Sequence, residues 1–136
     1  MLVYYYCCER GGRLGGIVRD VVAAGFELVA GRSAALSRVN ASEFLEVYQG
    51  VVPEYNDMVL EMCTGPCVAL EVRAENAVMT FRETAGPWDV EMAKELRPKT
   101  LRAKFGVDRV HNGVHCTDLP EDGALECAYF FDLLQT

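Results

Sequence analysis

The chain lacks an apolar run long enough to cross a membrane. Its N-terminal stretch Leu2 to Cys8 is only seven residues, against the ~20 that a membrane helix needs, and it makes no secretory signal either. No membrane association and an intracellular, cytoplasmic location are expected. An excess of positive charge is also absent. Thirteen Lys and Arg stand against 20 Asp and Glu, for a net charge of −7, so no basic face is expected for nucleic acid. A small anionic ligand remains compatible wherever a few cations converge. The six cysteines (Cys7, Cys8, Cys63, Cys67, Cys116, Cys127) contain no Cys-x-x-Cys pair, which argues against a zinc module and leaves reduced thiols as the expectation. A set built from Cys63, Cys67, His111 and His115 is disfavoured, so no metal site made of protein ligands is expected. Repeats, linkers and low-complexity segments are absent, and residues 1–136 are expected to form a single domain.

What is present is a regular alternation of strand and helix signals. Val3 to Cys8 reads as a tyrosine-rich strand, followed by a loop at Arg10-Gly11-Gly12. Leu14, Ile17, Val18, Val21 and Val22 fall on one helical face, and Gly25 closes that helix. Phe26 to Ala35 reads as a second strand. Asn40 with Glu43 predicts a capping-box start for a short helix through Phe44 and Val47. Pro53 opens a helix with the stripe Tyr55, Met58, Val59, Met62, a core pattern. Cys67 to Val72 is β-branched and apolar enough for the middle of a sheet. Helices are predicted over 75–84, broken by Gly86-Pro87, over 89–96, and in a short turn from Pro98 to Gly106. Val110 to His115 reads as a fourth strand, and Asp118 with Glu121 as the cap of a last helix reaching about Leu134. Ignoring the short inserted helices, the order is β-α-β-β-α-β. This is the ferredoxin-like arrangement of an α+β domain, a four-stranded antiparallel sheet covered by helices.

The segment Asn112-Gly113-Val114-His115-Cys116-Thr117-Asp118, with Glu126 eight residues on, carries the chemistry. A neutral imidazole can attack phosphorus without first losing a proton, and neighbouring hydroxyl, amide and carboxyl groups can fix its orientation. Each of these residues also has an ordinary structural role to weigh: a packed histidine, a turn-capping asparagine, a solvated glutamate. Cys116 beside the histidine reads as a packing residue.

Several segments taken together resemble one family. Gly65-Pro66-Cys67-Val68-Ala69-Leu70, Phe81-Arg82-Glu83 before Gly86-Pro87, Thr100-Leu101-Arg102 before Phe105-Gly106, and Asn112 to His115 with Asp118 and Glu126 are similar to the nucleoside diphosphate kinases. The run Glu46 to Thr64, with Cys116 to Asp122, resembles a ciliary subgroup of that family, in its second kinase domain. The resemblance spans about residues 12–134. It implies transfer of a terminal phosphate between nucleoside tri- and diphosphates through a phosphohistidine, with Mg²⁺ accompanying ATP or another nucleoside triphosphate. It places His115 at the nucleophile, Thr117 and Glu126 at the pair that orients it, Arg82 and Arg102 at the phosphate-holding arginines, and Asn112 at the sugar contact. The family as a whole implies a homo-oligomer, and the ciliary subgroup implies an axonemal location with tubulin or other axonemal proteins as partners; a structural component of doublet microtubules is then the alternative to an enzyme.

Four departures from the family pattern predict a weakened site. The family's Lys-Pro-Asp segment after the first strand is absent, either lost or lying outside this chain, since relatives of that subgroup carry further domains upstream. Leu45, beside Phe44, stands where a tyrosine is expected, Val51 or Val52 where an arginine clamps phosphate, and Trp88 where a threonine contacts it. Each lost contact to a charged group is worth about 1.5–3 kcal/mol, which predicts activity lower by roughly a hundredfold to more than ten-thousandfold. Arg10, Arg13 and Lys104 are the cations that could partly substitute, though nothing in the sequence places them at the site.

Overall fold

The computed structural model describes residues 2–7, by their backbone, and 13–133. The loop at Arg10-Gly11-Gly12 and the helix end at Leu134 lie outside the described residues. The strands are β1 (Leu2–Cys7), β2 (Glu27–Ala34), β3 (Cys67–Arg73) and β4 (His115–Cys116), and the helices α1 (Arg13–Ala23), α2 (Arg38–Phe44), α3 (Tyr55–Cys63), α4 (Ala77–Ala85), α5 (Val90–Leu96), α6 (Leu101–Phe105) and α7 (Gly123–Ala128). The sheet order is β2-β3-β1-β4, with every neighbouring pair antiparallel. This is the expected split arrangement, in which β3 lies between the parallel pair β1 and β2. No described helix is long and apolar enough to cross a membrane.

The sheet is covered on both faces, and β3 shows why the run Cys67 to Leu70 is apolar at successive positions. Cys67 and Ala69 pack with Leu45, Val59, Met62 and Phe130, whereas Leu70 and Val72 pack with Ile17, Val21, Phe81 and Leu101. A strand buried on both faces needs apolar residues at successive positions. The α1 stripe is confirmed at Ile17 and Val21, both fully buried, but Val22 turns out to solvent at 53% exposure. The helical face is therefore narrower than the sequence pattern drew it. Gly25 closes α1 with φ +96°, as expected.

Three elements differ from the sequence reading. Helix α2 begins at Ser37, whose hydroxyl accepts from Asn40 N at 3.1 Å, so the cap lies three residues before Asn40; a 3-10 turn, Glu46–Tyr48, follows the helix. The fourth strand is only two residues long. Before it the backbone folds into a loop because Asp108 Oδ1 accepts from the Val110 and His111 amides at 2.9 and 2.7 Å, and Gly113 adopts φ +87°. A side chain that captures backbone donors in this way competes with the sheet ladder. Asp118 caps no helix. A 3-10 turn, Pro120–Asp122, precedes α7, and a π turn, Tyr129–Leu133, follows it.

Candidate active site

The short β4 places His115 at the edge of the sheet, opposite Tyr5 of β1. Across the sheet face, Phe44 from α2 and Tyr48 from the 3-10 turn set their rings edge-on to the imidazole, with centroids 5.9 and 5.7 Å away. Leu45, which follows α2, is buried in the core at 1% exposure. Of these two neighbours, Phe44 is the one whose ring meets the histidine. Burial holds the His115 pKa down at about 4, and the cations Arg102 and Arg82 push the same way against the opposing charge of Asp118. The imidazole is therefore neutral at physiological pH.

The histidine lies at a cleft of about 570 Å³, counting the space open to solvent, that Arg82, Arg102, Asn112, Trp88, Tyr48 and Asp118 also line. Arg82, on the last turn of α4, donates through Nη1 to Asp118 Oδ1 at 2.9 Å and to the Asp118 carbonyl at 3.0 Å. Arg102 braces the rim, with Nη1 on the Gly86 carbonyl at 2.8 Å and Nε and Nη2 on the Val114 carbonyl at 3.3 Å. Asn112 sits between loop and rim: with its amide oriented so that Nδ2 donates to the Val114 carbonyl at 3.0 Å, Oδ1 accepts from Trp88 Nε1 at 3.2 Å. The indole also donates to the Arg109 carbonyl at 2.7 Å.

Beyond the cleft, Thr117 is fully buried, and its hydroxyl hydrogen-bonds the Glu126 carboxyl. Burial pushes that carboxyl up to about 7, against the lowering effect of the hydroxyl, with Asp118 and Asp122 adding to the rise. Glu126 Oε2 is buried with no hydrogen-bond partner among the described residues. Cys116 is buried, and its thiol is pushed up by that burial.

Four of the six residues singled out from sequence, His115, Arg82, Arg102 and Asn112, meet at one cleft, while Thr117 and Glu126 form the pair behind it. Trp88 also faces the cleft. Of the substitute cations, Arg13 donates to the Phe105 carbonyl at 2.9 Å and Lys104 pairs with Asp20 at 2.8 Å, while Arg10 lies outside the described residues. The disfavoured zinc set does not assemble. His111 lies between Glu61 at 3.1 Å and Asp108 at 3.0 Å, and among the described residues no three His, Cys, Asp or Glu side chains form a metal-holding group. Tyr48 is what sequence reasoning missed, and Asp118, though part of the motif, was given no role in the cleft. Asp118 read as a helix cap, and nothing local marks a tyrosine on a 3-10 turn as facing a histidine 67 residues away.

The fold and the cleft define an α+β domain with a neutral histidine beside paired guanidinium groups. Residues 8–135 match the family model of nucleoside diphosphate kinase. The chain is 56% identical over 123 residues to nucleoside diphosphate kinase homolog 7 of Mus musculus, covering 90% of this chain and 31% of that relative, so it spans less than a third of the relative's length. The crystal structure of Aquifex aeolicus nucleoside diphosphate kinase superimposes with a TM-score of 0.91 at 30% identity, over 96% of this chain and 94% of that one. The nucleoside diphosphate kinase of Halobacterium salinarum, solved in complex with CDP, gives 0.82 at 25% identity over 97% and 88% of the two chains. This chain belongs to the nucleoside diphosphate kinase family.

Proposed function

We propose that this domain transfers the terminal phosphate of a nucleoside triphosphate to a nucleoside diphosphate through phospho-His115, at a reduced rate. The observation that carries the reading is the half-buried, neutral imidazole beside a cleft that two guanidinium groups also line. In the first half-reaction the nitrogen lone pair forms an N–P bond as the bond from the γ-phosphorus to its bridging oxygen breaks. The nucleoside diphosphate leaves with that electron pair. The second half-reaction runs the same step backwards onto another diphosphate. Thr117 and Glu126 serve as the positioning pair, Arg82 and Arg102 meet phosphate oxygens in planar forks, and Asn112 meets the sugar.

The donor set bears on Mg²⁺ as well. Asp118 is the carboxylate among the cleft-lining residues, and Arg82 and Tyr48 already engage it, so the site fits a cation carried in on the nucleotide's phosphates better than one held in a protein cage. When bound, Mg²⁺ neutralises charge on the transferring phosphate. The reduced rate follows from the departures at the family's lysine, arginine and threonine positions, with Arg13 and Lys104 engaged elsewhere. A coupled assay with GTP and TDP tests the reading. Turnover lower than that of the Aquifex relative by a hundredfold or more, and lost in His115→Ala, is expected; turnover that survives in His115→Ala contradicts it.

One observation favours a second reading, a structural block in the ciliary axoneme. Both cleft arginines are satisfied internally, Arg82 by Asp118 and Arg102 by backbone carbonyls, so the fold is complete without a ligand. Nucleotide-independent cosedimentation with doublet microtubules, joined to absence of turnover, is the outcome that this reading predicts.

A further inference from the structure

Asp118 occupies the cleft as an anion that is already bound. Its Oδ1 accepts from Arg82 Nη1 at 2.9 Å, and its Oδ2 accepts from the Tyr48 hydroxyl. A guanidinium from α4 and a phenol from the 3-10 turn after α2 thus converge on the two oxygens of one carboxylate. A pair of donors set to grip two oxygens of a carboxylate also suits two oxygens of a phosphate. The Tyr48 ring is packed on both sides, with its centroid 5.7 Å from His115 and 6.2 Å from Trp88. Its hydroxyl is therefore placed by the aromatic packing as well as by Asp118.

We propose that Tyr48 is a phosphate-binding residue of this cleft, and that Asp118 is a resident stand-in for phosphate, displaced when a nucleotide takes over the Tyr48 hydroxyl and the Arg82 guanidinium. The inference rests on the nucleotide reading given above and adds a ligand that no resemblance supplied. Burial and the adjoining Asp118 charge raise the Tyr48 pKa far above its ordinary value, so the phenol keeps its proton and acts as a donor. Carboxylate and phosphate cannot share the two donors, because like charges at that separation repel. Binding is then an exchange. Tyr48 also supplies a neutral donor in a cleft that the family comparison leaves short of a cation, since Val51, one of the two candidates for the clamping arginine, is 75% exposed.

The two roles of Tyr48, holding Asp118 and holding phosphate, predict opposite signs in one double-mutant cycle. ADP binding is measured by calorimetry without divalent metal, so that Asp118 cannot act through a cation, for wild type, Tyr48→Phe, Asp118→Ala and the double variant. Tyr48→Phe keeps the ring and its packing, and matched unfolding midpoints confirm intact folds. Asp118→Ala is expected to tighten ADP binding severalfold, and Tyr48→Phe to weaken it by about tenfold in the Asp118→Ala background, the worth of one hydrogen bond to a charged group, and by less in the wild-type background, where release of Asp118 offsets part of the loss. If Tyr48→Phe instead strengthens binding in the wild-type background and changes nothing in Asp118→Ala, Tyr48 serves only to hold Asp118 and the inference fails. No gain from Asp118→Ala overturns the stand-in role. Binding that Tyr48→Phe leaves unchanged in the Asp118→Ala background removes this inference alone, whereas no ADP binding by any of the four at millimolar concentration removes the nucleotide reading with it.

Discussion

At the scale of single residues, the side chain that most limits the cleft is Trp88. Its indole fills space on the rim, stacks edge-on with Tyr48 at 6.2 Å and donates to the Arg109 carbonyl at 2.7 Å. Trp88→Thr removes that bulk and returns a small hydroxyl, so ADP is expected to bind severalfold tighter by calorimetry, while the loss of the indole contacts lowers stability by about 1–3 kcal/mol. Unchanged affinity in a folded variant would show that the indole does not obstruct the phosphates. His115 was legible from sequence because its neighbours carry the family's motif. Tyr48 was not, because its part in the cleft depends on a 3-10 turn that ends a helix one turn before the sequence pattern indicated. Asp118 misled for a related reason: a carboxylate three residues before Glu121 looks like a helix cap until Arg82 and Tyr48 are seen to compete for it.

At the scale of elements, the cleft depends on how α4 ends. Gly86 closes that helix at φ +88°, and a Cβ there would lie 2.4 Å from Thr100 Oγ1. The same residue's carbonyl accepts from Arg102 Nη1 at 2.8 Å. Gly86→Ala therefore strains the backbone and crowds Thr100 together, with an expected loss of about 2–4 kcal/mol in denaturant unfolding and weakened nucleotide binding through Arg102. A loss under about 0.5 kcal/mol would mean that the turn relaxes freely. Strand and helix order were readable along the whole chain, since hydrophobic period and the glycine and proline breaks agree with the tertiary structure at β2, α3, β3 and α4–α6. The failures cluster where side chains capture backbone groups. Ser37 starts α2 early, and Asp108 takes the amides of Val110 and His111 and so shortens the fourth strand to His115–Cys116.

For the molecule as a whole, two half-buried titrating groups act on stability in opposite directions. Glu126 is held up at about 7 from an ordinary 4.5, so its contribution is complete below pH 4.5 and is lost as pH rises through 7. His115 is held down at about 4 from 6.5, so its contribution is complete above pH 6.5 and is lost as pH falls through 4. Glu126→Gln is expected to raise the thermal midpoint at pH 8 by about 3–6 °C and to change little at pH 5; a lower midpoint at pH 8 would show that the ionised carboxylate stabilises the fold. The net charge of −7 describes the whole surface, while the cleft concentrates Arg82 and Arg102 near the neutral His115. That is how an acidic protein can present a site for an anion.

The central claim, that His115 accepts phosphate, is tested most directly by trapping it. The purified chain is incubated with γ-labelled ATP and Mg²⁺ and quenched in base, at concentrations high enough to populate weak binding, alongside His115→Ala. The account predicts base-stable, acid-labile label on the wild type and none on the variant. No label on the wild type, with the fold intact, would contradict it and leave the cleft a structural remnant of the family's chemistry.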